Sequence, residues 1–444
     1  MKKIFFALAA LAAMTAISCT KEAGFDTREE FEQVPASLNL TTRALATRAA
    51  ADVNDSAAER TINHVEVFFF RQDDGQTLDA YYEFTSPAVE GQWETPNTDD
   101  ANNDFVLGSA ADPMYVSNTT LDCYVVVNAP ANGATGYIGD QVTSVATLKQ
   151  QISQFTVNTT SNFVMIGRLT GINMKAIEAV SGLKTISGPV ELERMCNKVI
   201  LHTLTKDFVS DAFQSADVKL EGLYLVNAVK EAKYDEVYTA AGARTVDAVP
   251  TAADASYYNA TFSASSDWAD NDFITWTAAD NTEKITVTAA GATVDKCLYF
   301  YPNPALEAVR PAAVGGVEQP LPKDYVSKIV LKVKIGDNHY WYPIALNQAQ
   351  IPTGGTNHVG DPMATTRNLV YVIDELVLLK AGGNANKSGD EENTPDDDTP
   401  YTPTEDPGAY IENNSVSLQL RVLDWVSGEI VGSYNGIGWG TINP

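Results

Sequence analysis

Side chains able to carry out chemistry are few in this sequence, and their spacing does not assemble a reactive site. No His-Glu-x-x-His motif and no Cys/His pair at metal-binding spacing occurs, and a Gly-x-Ser-x-Gly nucleophile motif is absent. The four histidines are dispersed along the chain, at His64, His202, His339 and His358. We therefore expect no enzymatic activity, no metal site and no cofactor.

Two further patterns could bind ions or phosphates but lack the required context. The glycines from Gly432 to Gly440 follow a predicted strand, yet no lysine and no βαβ unit accompanies them, which argues against a phosphate-binding loop. The Asp396-Asp397-Asp398 run is interrupted by prolines and lacks the ligand spacing of a calcium-binding loop. We interpret it as a solvated charge run.

The residue with the clearest chemical role is Cys19. It follows a positive start at Lys2 and Lys3 and an apolar stretch, residues 4–17, that is too short to span a membrane. Small residues at 16 and 18 precede Cys19, as they do in lipoprotein signal peptides, so we expect an acyl (palmitate) chain on its sulfur. The alternative is an ordinary secretory signal in which Cys19 is incidental. No aspartate follows Cys19, which favours delivery to the outer membrane.

The other three cysteines, Cys123, Cys196 and Cys297, are widely spaced and lie among apolar residues. Their odd number and spacing predict no disulfide framework, and we expect them to be small buried side chains.

Charge excludes several classes of partner. The 444 residues carry 30 Lys and Arg against 57 Asp and Glu, a formal net charge of −27. A surface of this sign repels phosphate backbones and anionic lipids, so nucleic-acid binding and electrostatic membrane binding are not expected. The length predicts two or three domains.

Short apolar runs with period-2 alternation recur throughout the chain and predict a mainly β protein. One helix is predicted between Asp140 and Phe155, where apolar residues recur every three or four positions. The strands fall into two blocks, each large enough for a β-sandwich. The predicted strands are His64–Phe70, Asp122–Val127, Val190–Leu204, Val218–Val226, Lys284–Thr288, Lys296–Tyr301, Lys328–Leu346 and Asn368–Leu379.

Beyond Leu379 the sequence becomes acidic and rich in proline, and it predicts an extended linker. Alternation returns at residues 415–422, followed by Trp425. The apolar positions of this row are Val416, Leu418, Leu420 and Val422. An isolated amphipathic strand is unstable in water, so it must join a sheet, either on its own domain or on another subunit.

A second short alternating strand lies near the N-terminus, at residues 36–42. Arg43 and Arg48 follow it among small residues. Cleavage after Arg48 would separate this strand and the lipid site from the rest of the chain, and would leave a sheet with a missing strand.

Taken in order along the chain, these motifs resemble the fimbrillins of type V pili, surface fimbriae of the Bacteroidales. The resemblance includes the Cys-Tyr-Val-Val-Val run at 123–127, the Glu-Arg-x-x-x-Lys run starting at Glu193, the Tyr342-Pro343 pair and the Arg-Asn-x-x-Tyr run at 367–371. It implies two tandem transthyretin-like, Greek-key β-sandwich domains with minor helix. It also implies a tethered C-terminal donor strand.

For function, the resemblance implies a structural subunit of a cell-surface fimbrium that contributes to adhesion. Cys19 would carry the lipid of an outer-membrane precursor, and an Arg-specific protease would cut Arg48-Ala49, with Arg43 as a second candidate. Residues 415–425, including Trp425, would then enter a neighbouring copy. Expected partners are copies of the chain itself, anchor and tip subunits, the protease, and host or bacterial surface receptors.

The resulting map has six parts. They are a signal peptide (1–18), a propeptide with a removable first strand (19–48), an N-terminal β-sandwich (49–205), a C-terminal β-sandwich (206–385), an acidic Pro-rich linker (386–412) and a donor-strand segment (413–444). Two alternatives stay open: a non-polymerising surface lipoprotein that binds carbohydrate, and a tip or accessory subunit of the same pilus.

Overall fold

A computed structural model describes the β-rich part of the chain. The described residues are 32–41, 59, 61–85, 93–94, 104–159, 161–226, 231–234, 275–278, 282–301, 328–345, 367–382, 416–425 and 430–437. Over these residues the chain is mainly β, which confirms the predicted fold class.

The strands have the following bounds in chain order: β1 (Gln33–Thr41), β2 (His64–Arg71), β3 (Leu78–Thr85), β4 (Trp93–Glu94), β5 (Asp104–Leu107), β6 (Met114–Ser117), β7 (Thr120–Val127), β8 (Ile152–Gln154), β9 (Met165–Asn173), β10 (Lys184–Thr185), β11 (Val190–Glu191), β12 (Glu193–Arg194), β13 (Asn197–Lys206), β14 (Val218–Val226), β15 (Glu231–Lys233), β16 (Thr275–Thr277), β17 (Ile285–Thr286), β18 (Ala292–Phe300), β19 (Lys328–Ile335), β20 (Asn338–Ala345), β21 (Leu369–Leu378), β22 (Val416–Asp424) and β23 (Ile430–Ile437). The helical elements of the described residues are α1 (Val145–Leu148), α2 (Asp211–Gln214) and the 3-10 turns Phe155–Val157 and Met174–Ala176.

The chain divides into two compact units. The N-terminal unit contains the described residues up to Thr41, those from 61 to Gln151, and Val164–Leu192. The C-terminal unit contains Glu59, the described residues of 152–163, and those from Glu193 onward. The division falls at Leu192, before the predicted boundary at 205, because β13 pairs with β18 and β21 of the second unit.

The N-terminal unit is a sandwich of two sheets. One contains the strand order β9-β7-β2-β3, and the other is built around β1. In β2 the alternation places Val65, Val67 and Phe69 in a continuous apolar core shared with β1 and β7. Side chains on the other face of β2, including Phe68 and Phe70, are buried as well. This explains the continuous apolar run Val67–Phe70 within β2.

The helix predicted over 140–155 is wrong in length. Only α1 is helical, and Ser144 forms a capping box with Thr147 at its start. The Gln150 N–H donates to the Thr147 carbonyl and the Gln151 N–H to the Leu148 carbonyl, contacts that tighten and end the turn. The chain then enters β8, which pairs with β15. Pairing with a distant strand thus overrides the local apolar spacing.

Over the described residues, the C-terminal unit contains two five-stranded sheets and the two-stranded β8–β15 pair. The first has the order β18-β13-β21-β22-β23 and the second has the order β16-β14-β19-β20, with β17 also on β14. β13 and β21 run parallel, whereas β22 runs antiparallel to β21 and β23 antiparallel to β22. The C-terminal strands therefore extend the first sheet of their own unit.

A carboxyl group is buried on the face of β2 that is opposite Val65, Val67 and Phe69. Glu66 is fully buried and lies directly opposite Glu83 of β3. The Tyr81 hydroxyl donates to Glu66 Oε1 at 3.0 Å, and it lies 2.8 Å from the Tyr137 hydroxyl. Burial raises the pKa of Glu66 to about 8, although the Tyr81 hydrogen bond opposes the shift.

This carboxyl predicts a pH dependence of stability. Between the ordinary pKa of 4.5 and the folded value of about 8, the unfolded chain loses the Glu66 proton while the folded chain keeps it. The free energy of unfolding should therefore fall as pH rises through this window, by up to about 1.4 kcal/mol per pH unit. Glu66→Gln should remove this loss and raise the apparent Tm at pH 8. Thermal unfolding at pH 5, 6.5 and 8 measures it, with the exposed Glu178→Gln as control; an unchanged slope in Glu66→Gln would assign the effect to another group.

Candidate functional site

β1 lies between short strands on both of its edges. Antiparallel β6 and β5 pair with its first and second halves on one edge, and parallel β10 and β11 do so on the other. β5 and β6 have four residues each and β10 and β11 two each, whereas β1 has nine. In the described pairing, β1 is the strand that joins these four segments into one sheet.

The apolar side chains of β1 complete the core of the N-terminal unit. Ala36, Leu38 and Leu40 are fully buried and Val34 nearly so, in one cluster with residues of β2 and β7. Full burial of such a side chain contributes about 1.5 to 3 kcal/mol. β1, which contains most of the strand predicted at 36–42, therefore contributes several kcal/mol to the stability of this unit.

Polar groups and close backbone packing fix the position of β1. The Ser37 hydroxyl donates to Thr185 Oγ1 at 3.2 Å, and the Ile186 N–H donates to the Ser37 carbonyl at 2.9 Å. Gly108 has a positive φ of 75°, and a Cβ there would lie 2.8 Å from the Ala36 carbonyl oxygen. A larger residue at 108 would displace β1 from its place between the β5 and β6 edge and the β10 and β11 edge. We call this place the slot.

The predicted processing residues lie outside the described part of the chain. These are the lipid site Cys19, the cleavage pair Arg48 and Ala49, and the second candidate Arg43. β1 ends at Thr41, two residues before Arg43. Their roles stay predictions.

β22 contains most of the predicted apolar row. Val416, Leu418 and Leu420 are buried, Gln419 is exposed and Ser417 is half-buried. The row contacts β21, where Leu418 lies opposite Leu376 and Leu420 opposite Ile373. The side chain of Val422 is outside the described residues.

The end of β22 departs from the simple alternation. Leu423 and Trp425 are fully buried, although their odd positions place them on the face opposite Leu418 and Leu420. The pairing with β23 shifts register between Val422 and Leu423, and the Trp425 N–H donates to the Asn368 carbonyl at 2.9 Å. Both faces of the sheet are thus covered at this end, a feature that a one-face pattern did not predict.

Trp425 packs against a cationic and aromatic surface of the C-terminal unit. The Arg194 guanidinium carbon lies 4.5 Å from the centre of the indole, a cation–π distance. The Tyr299 ring stacks at 6.2 Å and the Phe163 ring meets it edge-on at 5.8 Å. Trp425, the last of the residues 415–425 that are predicted to enter a neighbouring copy, therefore anchors the docked strand.

A buried ion pair lies next to this surface. Lys198 Nζ lies 2.8 Å from Glu59 Oε1, to which the Tyr299 hydroxyl also donates at 2.6 Å. Arg194 donates from Nε and Nη2 to the Glu59 carbonyl at 3.3 and 3.2 Å. Burial raises the pKa of Glu59, while Lys198 and Arg194 act in the opposite direction. Arg194 and Lys198 belong to the Glu-Arg-x-x-x-Lys run, but no signal in the sequence pairs that run with Glu59.

The described residues hold no group of three or more side chains placed to bind a metal ion. None of their helices has the length and apolar character needed to cross a membrane. Cys123 and Cys196 are buried and Cys297 is half-buried, and burial raises the thiol pKa of all three.

Comparison with known proteins gives a family match over part of the chain. Residues 36–194 match the profile of the family described as Major fimbrial subunit protein (FimA), which covers β1 to β12 and somewhat more than a third of the chain. This match agrees with the resemblance seen in the motifs for the part of the chain that it covers, whereas the motifs at 342–343 and 367–371 lie outside it. No curated protein matches the chain by sequence.

Two solved structures share the fold. A candidate cell adhesion protein from Parabacteroides distasonis ATCC 8503 aligns with a TM-score of 0.52 at 15% identity, over 93% of this chain and 98% of its own. A second such protein from the same strain aligns with a TM-score of 0.50 at 12% identity, over 90% of this chain and all of its own. At these identities the likeness concerns the fold alone.

The pairing and burial of β1 predict a large effect of a charge at Leu38 and a small one at its neighbour Asn39. Leu38→Asp should place a carboxylate in the apolar core and lower the free energy of unfolding by several kcal/mol, because both the apolar contact and the hydration of the charge are lost. Asn39→Asp, half-buried on the other face, should change it by about 0.5 kcal/mol or less. Urea unfolding of the uncleaved chain measures both, and equal stability of the two variants would contradict the docked position of β1.

Proposed function

We propose that this chain is the shaft subunit of a cell-surface fimbrium, and that it polymerises when a C-terminal strand of another copy replaces β1. The observation that carries the proposal is the place of β1, which joins four short strands and lies just before the predicted cleavage bond Arg48-Ala49. The same strand is essential to the sheet and separable from the chain by one cut.

Loss of β1 creates a specific vacancy. The four flanking strands would lose their backbone partners, and the core residues facing Leu38 and Leu40 would meet water. Unpaired buried backbone groups and exposed apolar surface both cost free energy. A strand of matching pattern therefore has a strong tendency to fill the slot.

β22 has the properties of such a strand. It presents an apolar row at every second residue, as β1 does. Residues 379–415 separate it from β21, and an extended chain of this length reaches roughly 120 to 130 Å. The acidic, proline-rich composition of this segment favours extension, so the tether is long enough for β22 to reach a neighbouring copy.

β22 is docked on its own unit, and this observation also favours the second candidate, a non-polymerising surface lipoprotein that binds carbohydrate. In the strand-exchange proposal the docked state is the closed precursor, whose own β1 still fills the slot. Both candidates share a signal peptide, a lipid on Cys19 and delivery to the outer membrane. They differ in whether the chain is cut at Arg48 and β1 is then replaced.

The proposed partners follow from the assembly. Copies of the chain form the shaft, an Arg-specific protease triggers it, and anchor or tip subunits would use the same slot and donor contacts. A tip subunit would not need a donor strand and an anchor would not need a removable first strand, so the presence of both segments favours the shaft role. Contact of the finished fimbrium with host or bacterial surface receptors would account for adhesion.

Strand exchange predicts a protease-dependent ladder. Purified precursor treated with an Arg-specific protease and run unheated in detergent should give multimers, because each freed slot accepts a neighbour's β22. Leu420→Asp should abolish the multimers, since a charge enters the apolar row, while the exposed Gln419→Glu should leave them nearly unchanged. Monomers in the cleaved wild type would contradict strand exchange and favour the second candidate.

Leu420→Asp would also weaken the packing of β22 on its own unit, so the loss of multimers could have two causes. A peptide tests the slot without changing the chain. A synthetic peptide of residues 414–425, added during cleavage, should cap free slots and shorten the wild-type ladder. The same peptide with aspartate at positions 418 and 420 should have no effect.

Processing makes a separate prediction. Mature surface protein should begin at Ala49 and carry no lipid, because the cut removes Cys19 together with β1. N-terminal sequencing and fatty-acid labelling of surface copies measure this, and Cys19→Ser should block labelling of the precursor. Intact acylated Cys19 on most surface copies would speak for the non-polymerising lipoprotein.

A further inference from the structure

The strand that leaves and the strand proposed to replace it share a sequence pattern. Residues 37–40 of β1 read Ser-Leu-Asn-Leu, and residues 417–420 of β22 read Ser-Leu-Gln-Leu. In each strand the two leucines are buried and the amide residue between them is more exposed than they are. The two segments therefore present similar side chains to similar environments in their separate sheets.

The slot is selective at Ser37. This side chain is buried to 2% exposure, and its hydroxyl reaches Thr185 Oγ1. A serine from the donor reproduces both the size and the hydrogen bond. Ala36, which is fully buried, would be replaced by Val416, a small increase in volume at a crowded place next to Gly108.

Charge supplies an independent argument at the far end of the slot. The offset that places Ser417 on Ser37 places Arg421 on Thr41. Thr41 pairs with Glu191 on one edge and with Asp104 on the other, so the arginine would enter between two acidic positions. In its own unit Arg421 Nε pairs with Asp374 Oδ2 at 2.6 Å, and the exchange would therefore replace one ion pair by another.

A shift of two residues is the main competing register, because it keeps the apolar row inward. It would put Val416 on Val34 and Leu418 on Ala36, which adds more volume at the crowded position. It would also put Gln419 on the buried Ser37, and Arg421 on Asn39, opposite the apolar Val106. Size, hydrogen bonding and charge all disfavour this register.

Resting on the proposed strand exchange, we infer that β22 of a second copy enters the slot in the same direction as β1, with Ser417 in the place of Ser37. In this register the donor runs parallel to β10 and β11 and antiparallel to β5 and β6. Ser417 then lies beside Thr185, and Gln419 lies opposite Val106. Ser37, Thr185 and Glu191 are the residues with described side chains that select the register.

Paired cysteines test this inference. The precursors Ser417→Cys/Thr185→Cys and Gln419→Cys/Val106→Cys are cleaved, oxidised, boiled in detergent and run without reductant. Both should give ladders that disappear with reductant, because cross-strand neighbours have the spacing a disulfide requires. Single-cysteine variants control for the native thiols. Uncleaved precursor is a second control, since β1 still pairs with β10 beside Thr185.

The competing register predicts a different set of crosslinks, Gln419→Cys/Thr185→Cys and Arg421→Cys/Val106→Cys. Crosslinks in this set, or in neither set while wild type still forms its unheated ladder, would overturn the inferred register and leave strand exchange intact. Absence of any wild-type ladder would overturn strand exchange and the register with it.

A peptide arm avoids donor variants that fail to fold. A peptide of residues 414–425 with cysteine at 417 should form a disulfide with cleaved Thr185→Cys protein, and one with cysteine at 419 should not. Thr185 is exposed, so its substitution should leave the unit folded. Capture of only the 419 peptide would overturn the register.

Discussion

Backbone pairing along the two edges of β1 is the constraint on which the N-terminal unit depends. β5, β6, β10 and β11 are too short to form a stable sheet by themselves, and each gains its place by hydrogen bonding to β1. The apolar face of β1 then closes the core against β2 and β7. Under the proposed function this strand is replaced once it is lost, and among the described strands it lies closest in sequence to the predicted cleavage bond.

The C-terminal strand has an equally complete environment in its own unit. β22 pairs on both edges, buries three side chains of its apolar row, and ends in Trp425 packed on Arg194. The buried Glu59–Lys198 pair fixes that surface, since removing one member would leave an uncompensated charge. Under the proposed function, exchange substitutes one well-packed strand environment for another, so the net driving force comes from the slot that proteolysis opens.

Similarity to known proteins is uneven along the chain. The family profile covers residues 36–194, whereas the likeness that extends over the C-terminal unit is one of fold at 15% identity or less. This agrees with the physical roles of the two parts. Under the proposed function the slot strands must accept a defined backbone partner, while a sandwich core tolerates many apolar combinations of similar volume.

The sequence alone determined the mainly β fold, the position of β1, β2, β7, β14, β21 and β22, and the inward row at residues 416, 418 and 420. These depend on alternation within a few residues, a local property that survives in any sheet. The short helix α1, the buried end of β22 and the union of Glu59 with Arg194, Lys198 and Trp425 were decided only by the tertiary structure. Glu59 meets Arg194 and Lys198 across 135 and 139 residues of sequence, Trp425 packs on Arg194 across a still longer stretch, and α1 ends where the chain enters β8, whose partner β15 begins only at Glu231. No local pattern specifies which distant strand or charge will lie opposite.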